Sequence, residues 1–69
     1  MMINLKTEMT RNQKTIAKMA LFLGVSSNTF SFKLNGKREF TLDEAGKMAD
    51  LFGVSIDYLA EKRQIPRTG

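Results

Sequence analysis

The residues from 26 to 38 combine short polar side chains with a group of cations. Ser27 and Asn28 can hydrogen-bond to base edges, and they follow Ser26, which can begin a helix by accepting from the amide of Asn28 or Thr29. Three cations come later in the same stretch: Lys33, Lys37 and Arg38. A nucleic acid is recognised by side chains of these two kinds, because amides and hydroxyls contact bases while cations contact phosphates. The stretch therefore predicts a short helix that reads DNA.

Two apolar residues in this stretch predict how the helix is held. Phe30 and Leu34 are four residues apart, so they share one face and can fix the helix to a core. The opposite side then carries Ser27, Asn28, Ser31 and Phe32. Asn35 and Gly36 supply a left-handed stop, after which Lys37 and Arg38 lie in a loop.

The composition excludes most catalytic chemistry. The chain has no cysteine and no histidine, which removes disulfides, thiolate or imidazole metal sites and the usual nucleophile and base pairs. Two carboxylate pairs remain, Asp43 with Glu44 and Asp57 with Glu61, but both lie at helix starts or exposed turns, where capping and solvation explain them. We therefore expect no enzyme activity, no metal and no cofactor.

Charge is unevenly distributed along the chain. The formal charge is +4 in total, but residues 1 to 38 carry seven cations and one anion, whereas residues 39 to 69 carry four cations and six anions. The formal charge of residues 1 to 38 is therefore +6, and that of residues 39 to 69 is −2. Binding to a polyanion explains this polarity. A merely solvated face explains it equally well on charge alone.

The apolar residues recur with helical rather than strand spacing, so we predict an all-α fold of four or five short helices. The first covers residues 4 to 11, with Leu5 and Met9 inside. Thr15 caps the second, whose buried stripe is Ile16, Met19, Ala20 and Leu23. Leu21 and Phe22 lie off that stripe. We favour their completing the core from another side over their forming an exposed patch.

The second half of the chain has equally clear helix signals. Gly24 ends the second helix. Thr41 and Glu44 form a capping box for a fourth helix, which Gly53 ends. Gly46 lies inside this helix and indicates either close backbone packing or tolerance of its cost. The predicted apolar face of the fourth helix is Leu42, Ala45, Met48, Ala49 and Phe52.

Ser55 caps a fifth helix, over residues 56 to about 62. In it Ile56 and Leu59 or Ala60 are predicted to pack inward, and Tyr58 to be half exposed. The domain is predicted to span residues 1 to 63, followed by a frayed tail from 64 to 69. No apolar run is long enough for a membrane span or a signal peptide, so we expect a cytoplasmic, nucleoid-associated protein.

These features together resemble one known family. The segments that carry the resemblance are Thr15 with Met19-Ala20, residues 23 to 26, 29 to 31, 35 to 38 and 51 to 59. In order and spacing they are similar to the Cro and phage-repressor type of helix-turn-helix domain, the XRE family, over most of the chain. The resemblance implies a compact five-helix bundle in which helices 2 and 3 form the helix-turn-helix. It also implies a homodimer on double-stranded DNA with helix 3 in the major groove.

The resemblance also implies roles for individual residues. Ser27, Asn28 and Phe32 correspond to base-reading positions, with Ser31 near a base edge or the backbone. Asn28 can bond to adenine, whereas Phe32 can make only apolar contact, with a thymine methyl group. The implied phosphate contacts are Thr15 at the start of helix 2, Lys33, Asn35, Lys37 and Arg38. The amides of the loop after helix 3 are implied as further donors.

The sequence departs from the family pattern at three positions. Ile16 stands where many members have a glutamine that holds a phosphate, Phe32 where a polar base-reading residue is common, and Lys14 where an apolar residue often packs.

Two functions follow as alternatives. The favoured one is a sequence-specific transcriptional regulator of the phage or prophage repressor or Cro-like kind. The other is a protein-binding module of the same fold, such as an antitoxin, with Phe32, Leu21 and Phe22 as its docking surface.

Overall fold

The computed structural model describes residues 2 to 61, which form five helices and, within that range, no strand. The helices are α1 Ile3–Arg11, α2 Ile16–Leu23, α3 Ser27–Leu34, α4 Leu42–Phe52 and α5 Ile56–Ala60. The predicted all-α class with five helices is confirmed. Residue 1 and residues 62 to 69 lie outside the described residues, and so does the predicted tail from 64 to 69. α5 ends before the predicted position near residue 62.

Four of the five helices begin at a hydroxyl side chain that caps them. The side-chain oxygens of Thr15, Ser26, Thr41 and Ser55 each accept from the amide three residues on, at 3.0 or 3.1 Å. The predicted capping box is present, since the Thr41 amide also donates to Glu44 Oε1 at 2.9 Å. α1 begins one residue earlier than predicted and lacks a side-chain cap. Its neighbour Met2 instead donates its amide to the carbonyl of Leu34 at 3.0 Å.

α2 and α4 end in the same way, at a glycine with a left-handed backbone. Gly24 has φ of 75° and Gly53 has φ of 68°. The valine after each glycine then donates its amide back into the helix, Val25 to Ala20 and Val54 to Ala49, both at 3.0 Å. Both valines pack against the core, so each stop also fixes the direction of the chain toward the next helix.

Each helix contributes one fully buried large side chain to a single core. These residues are Leu5, Met19, Phe30, Met48 and Leu59. Phe40, in the loop between α3 and α4, closes the core with its ring centroid 5.6 Å from that of Phe30. Since one side chain from every helix meets here, the core fixes the angle of α3 relative to all the others.

The prediction that Leu21 and Phe22 complete the core is wrong. The exposed fraction is 83% for Leu21 and 44% for Phe22. Successive residues of a helix are rotated by about 100°, which directs Leu21 about 150° away from the centre of the stripe that contains Met19 and Ala20. α2 is covered on one side only, so both residues form an exposed apolar patch.

Two residues of the predicted apolar stripes are also exposed. Ile16 is exposed at the first position of α2, and the exposed fraction of Leu42, at the first position of α4, is 77%. Helical spacing assigns both to the correct face. Each lies one turn before the segment of its helix that its neighbours cover, so the prediction of burial is wrong at both helix starts.

A group of polar side chains joins α1 to α5 inside the protein. The Tyr58 hydroxyl donates to Glu8 Oε2 at 3.0 Å, and the Asn4 amide donates to the Tyr58 carbonyl at 2.9 Å. Asn4 and Glu8 are both buried. Arg11 approaches Glu8 Oε2 at 3.5 Å from the exposed side. The C-terminal helix is therefore held by directional bonds in addition to the apolar side chain of Leu59.

For Gly46 the sequence leaves two interpretations, close backbone packing or tolerance of its cost, and the structure decides between them. A Cβ atom at this position would meet only Ile56 Cδ1, at 3.9 Å, which is an ordinary van der Waals distance. Among residues 2 to 61, no backbone outside α4 comes within 4 Å of this Cβ position. Gly46 therefore lowers the helical propensity of α4 without being required by packing.

Candidate nucleic-acid interface

α2 and α3 are joined by a tight turn whose residues all have a structural role. Gly24 supplies the left-handed conformation, Val25 packs against the core and Ser26 caps α3. The Ser26 hydroxyl lies within hydrogen-bond distance of the Thr29 hydroxyl as well as its amide, at 2.9 and 3.1 Å. The turn thus leaves little freedom in the orientation of α3 relative to α2.

α3 has one buried and one exposed side, as predicted from its spacing. Phe30 and Leu34 are buried. Ser27, Asn28 and Phe32 are exposed, and Ser31 is half-buried. The exposed side thus presents hydroxyl, amide and aromatic groups to solvent on a rigidly anchored helix.

Phe32 is held by a neighbour rather than by the core. The exposed fraction of Phe32 is 46%. The Lys37 ammonium lies 5.8 Å from the centroid of its ring, which is within the range of cation–π attraction. Lys37 and Phe32 also meet through the backbone, because the Lys37 amide donates to the Phe32 carbonyl at 2.9 Å. The aromatic ring and this cation therefore form one unit at the end of α3.

The backbone amides of the loop after α3 are predicted to contact phosphate, but the structure shows them bonded within the protein. The amides of Asn35, Gly36 and Lys37 donate to the carbonyls of Ser31, Lys33 and Phe32 at 2.9 to 3.2 Å. These three amides already donate hydrogen bonds within the turn, so they are not free to donate to a phosphate as predicted. The Asn35 side chain also donates to the Ser31 carbonyl, at 2.9 Å. The side chains of Asn35, Lys37 and Arg38 are all exposed.

Lys33 is placed differently from the other cations. Its ammonium lies 2.7 Å from Glu44 Oε1, and only 11% of the Lys33 side chain and 13% of the Glu44 side chain are exposed. The ammonium also lies 5.7 Å from the centroid of the Phe40 ring. Lys33 thus joins α3 to α4, and this position does not suit the phosphate contact predicted for it.

The electrostatics of Glu44 agree with this pairing. Burial by itself raises the pKa of Glu44, but hydrogen bonds from Lys33 and from the Thr41 amide, with the charge of Lys33, lower it further than burial raises it. The net pKa of Glu44 is below its ordinary value. The carboxylate is therefore charged at neutral pH and compensates Lys33.

Thr15 is at a separate place, the start of α2. Its hydroxyl accepts from the Lys18 amide and is exposed. Ile16 next to it offers no hydrogen bond. A helix start leaves free amides that attract anions, so this end of α2 is compatible with a phosphate contact.

The residues from 2 to 61 contain no group of three or more acidic, histidine or cysteine side chains that could hold a metal ion. Within the same range, no helix is long and apolar enough to cross a membrane.

Comparison with known proteins agrees with this geometry. Residues 5 to 59 match the model of a family described as helix-turn-helix, which covers more than half of the chain. The chain belongs to the XRE-type helix-turn-helix family. Members of this family are DNA-binding domains of transcription regulators, and the matched range includes all of α2, α3 and α4. No curated protein and no solved structure gave a match.

Two features of this XRE-type domain were missed in the sequence. The sequence predicts Glu44 as part of a capping box, but nothing local indicates its second role as the partner of Lys33, eleven residues away. Glu8 was assigned no role. Its spacing of three from Leu5 was a usable signal, since it places the carboxylate on the same helical face as a core residue.

Proposed function

We propose that this XRE-type domain is a sequence-specific transcriptional regulator, of the phage or prophage repressor or Cro-like kind, that acts by occupying an operator. The observation that carries the proposal is the exposed side of α3. It presents Asn28 and Phe32 opposite the buried anchors, with the exposed Ser27 at the first turn and the half-buried Ser31 beside them, and the exposed cations Lys37 and Arg38 follow it directly. In the proposed complex α3 lies in the major groove.

The proposed contacts divide by chemistry. Ser27, Asn28, Ser31 and Phe32 contact bases, with the Asn28 amide bonding to adenine. The proposed phosphate contacts are Thr15, Asn35, Lys37 and Arg38. We leave out Lys33, because its charge is already compensated by Glu44.

We further propose that the protein binds as a homodimer, which would place two α3 helices about 34–36 Å apart, one turn of DNA. Selection of bound sequences from a random DNA pool tests both ideas. A palindromic consensus with that spacing supports the proposal. Enrichment of no sequence, or an affinity that does not fall as salt rises, would contradict it.

The division of roles has its own test. Asn28→Ala should reduce the preference for the selected sequence over random DNA, because it removes a base contact. Arg38→Ala should weaken binding to both DNAs by the same factor. Arg38 is the better charge variant, since Lys37 also contacts Phe32. Equal effects of the two variants on both DNAs would contradict the assignment.

A protein-binding module is the second candidate, and the exposure of Leu21 and Phe22 favours it. These residues form an apolar patch on α2, outside the exposed side of α3. If this patch binds a partner protein, Leu21→Lys should abolish co-purification of one stoichiometric partner. If DNA is the partner, Leu21→Lys should leave sequence preference unchanged.

A further inference from the structure

The exposed side of α3 carries no charge. In the α3 sequence, SNTFSFKL, Lys33 is the one charged residue, and its ammonium is bonded to Glu44 on the inner side of the helix. Guanine is read most often by an arginine or lysine that donates to its O6 and N7 atoms. Within α3, no cation is available for that contact. The bases that α3 can distinguish are therefore those recognised by neutral side chains.

Phe32 is the largest side chain on this exposed side. It follows Asn28 by four residues, so the amide and the ring lie on the same side of the helix one turn apart. A phenylalanine ring neither donates nor accepts a conventional hydrogen bond. The apolar group that the major groove offers is the methyl group at C5 of a pyrimidine, which thymine carries and cytosine lacks.

The position of Phe32 is restrained by Lys37. Lys37 approaches the ring with its ammonium and bonds to the Phe32 carbonyl with its amide. A phosphate contact by the same ammonium would place the ring next to the DNA backbone, at the wall of the groove where the C5 methyl group projects. Lys37 thus acts as a positioning residue for the ring.

We propose that Phe32 selects a pyrimidine that carries a C5 methyl group at one position of each half-site. This inference rests on the proposed function, and it adds which base chemistry the site distinguishes. Thymine and 5-methylcytosine share this methyl group, whereas cytosine and uracil lack it.

The test uses synthetic duplexes of the sequence selected by the wild-type protein. Each thymine is replaced singly by deoxyuridine, which keeps base pairing and the O4 acceptor but removes the methyl group, and affinity is measured by fluorescence anisotropy at constant salt. For the wild type, replacement at one thymine of a half-site should weaken binding about fourfold, the change expected from one buried methyl group. For Phe32→Ala the same replacement should have no effect.

A second arm distinguishes the two methylated bases. Changing the sensitive T·A pair to C·G should weaken binding, and changing it to 5-methyl-C·G should recover part of the loss for the wild type but not for Phe32→Ala. Phe32→Leu keeps an apolar contact and should retain part of the methyl dependence.

Phe22→Ala is the matched control, because Phe22 is a half-exposed phenylalanine outside α3. It should retain the wild-type response to deoxyuridine. No sensitive thymine in the wild type, or a sensitivity that persists in Phe32→Ala, would overturn the inference while DNA binding itself stands. If the pool yields no preferred sequence, the proposed function and this inference fail together.

Discussion

Lys33 has a structural role although it lies among residues of the candidate DNA-binding surface. Its ammonium is bonded to Glu44 at 2.7 Å, and both side chains are largely shielded from water. A phosphate contact would require this pair to separate and would leave Glu44 without its cation. Because its charge is compensated inside the protein, Lys33 is a weaker candidate for a phosphate contact than the exposed Lys37 and Arg38.

The first prediction concerns Lys33→Met, which keeps the stem of the side chain and removes its charge. The free energy of unfolding should fall by about 1.5–3 kcal/mol, because a hydrogen bond to a charged group is lost. The dependence of DNA affinity on salt should be unchanged. Arg38→Met should show the opposite pattern. Its plot of log affinity against log salt concentration should have a slope reduced in magnitude by about one, and its stability should be retained. Urea unfolding and binding titrations at several salt concentrations measure both quantities. A reduced salt slope for Lys33→Met would assign it a phosphate contact after all.

The second prediction follows from the lowered pKa of Glu44. Because the folded state lowers this pKa, the unfolded state binds the proton more readily, and stability falls as pH decreases. The contribution of Glu44 is present above its unfolded pKa and is lost as pH falls through the lower, folded pKa. The urea concentration at the unfolding midpoint should therefore decrease less steeply for Glu44→Gln than for the wild type as the pH is lowered from about 6 to about 3. An equal slope in both proteins would show that Glu44 makes no such contribution. Asp50→Asn, at an exposed position on the same helix, is the control for loss of one negative charge.

Among the elements, α4 has a glycine in its interior that its structure does not require, and it is followed by a glycine that its structure does require. Gly53 ends the helix with φ of 68°, a conformation that other residues rarely adopt. Gly46 is in the helix interior, where a Cβ atom would fit at 3.9 Å from Ile56 Cδ1. The same substitution at the two positions should therefore have opposite effects.

The third prediction is that Gly46→Ala raises the free energy of unfolding by about 1 kcal/mol, because alanine restricts the unfolded chain and favours the helix. For a domain of this size, the thermal midpoint should rise by about 4–8 °C. Gly53→Ala should lower stability by about 1–2 kcal/mol, the cost of a left-handed alanine. Thermal unfolding of the two variants compares them directly. A loss of stability in Gly46→Ala would mean that α4 and α5 pack more closely than the 3.9 Å distance indicates.

At the scale of the whole molecule, contacts between the two ends of the described chain close the fold. α1 and α5 are joined by the bond from Tyr58 to the buried Glu8 and by the bond from Asn4 to the Tyr58 carbonyl. α2 and α3 lie between these elements in sequence and share the same core. The orientation of α3 therefore depends on residues far from it along the chain.

The fourth prediction is that Tyr58→Phe destabilises the protein by about 1–3 kcal/mol, because a buried carboxylate loses a hydrogen-bond donor. The double variant with Glu8→Leu should recover much of this loss, since both polar partners are then replaced by apolar groups. A double-mutant cycle of urea unfolding measures the coupling. Additive losses in the two single variants would show that the hydroxyl and the carboxylate do not act as a pair.

The local features of this protein follow from its amino-acid sequence. It predicted the five helices, the caps at Thr15, Ser26, Thr41 and Ser55, the glycine stops and the burial of Phe30 and Leu34. These features depend on groups three or four residues apart, such as a hydroxyl and the amide one turn later, so local chemistry is sufficient to specify them. The family followed from the order and spacing of the same signals.

Which side chains are covered and which charges are paired depends on contacts between helices. The exposure of Leu21 and Leu42, the burial of Glu8 and the pairing of Lys33 with Glu44 all depend on the neighbours that another helix supplies. Helical periodicity gives the direction of a side chain around its own axis, but not whether a second helix lies over it. The sequence therefore predicts the candidate site, while the pairing of Lys33 on α3 with Glu44 on α4 leaves the exposed face of α3 uncharged.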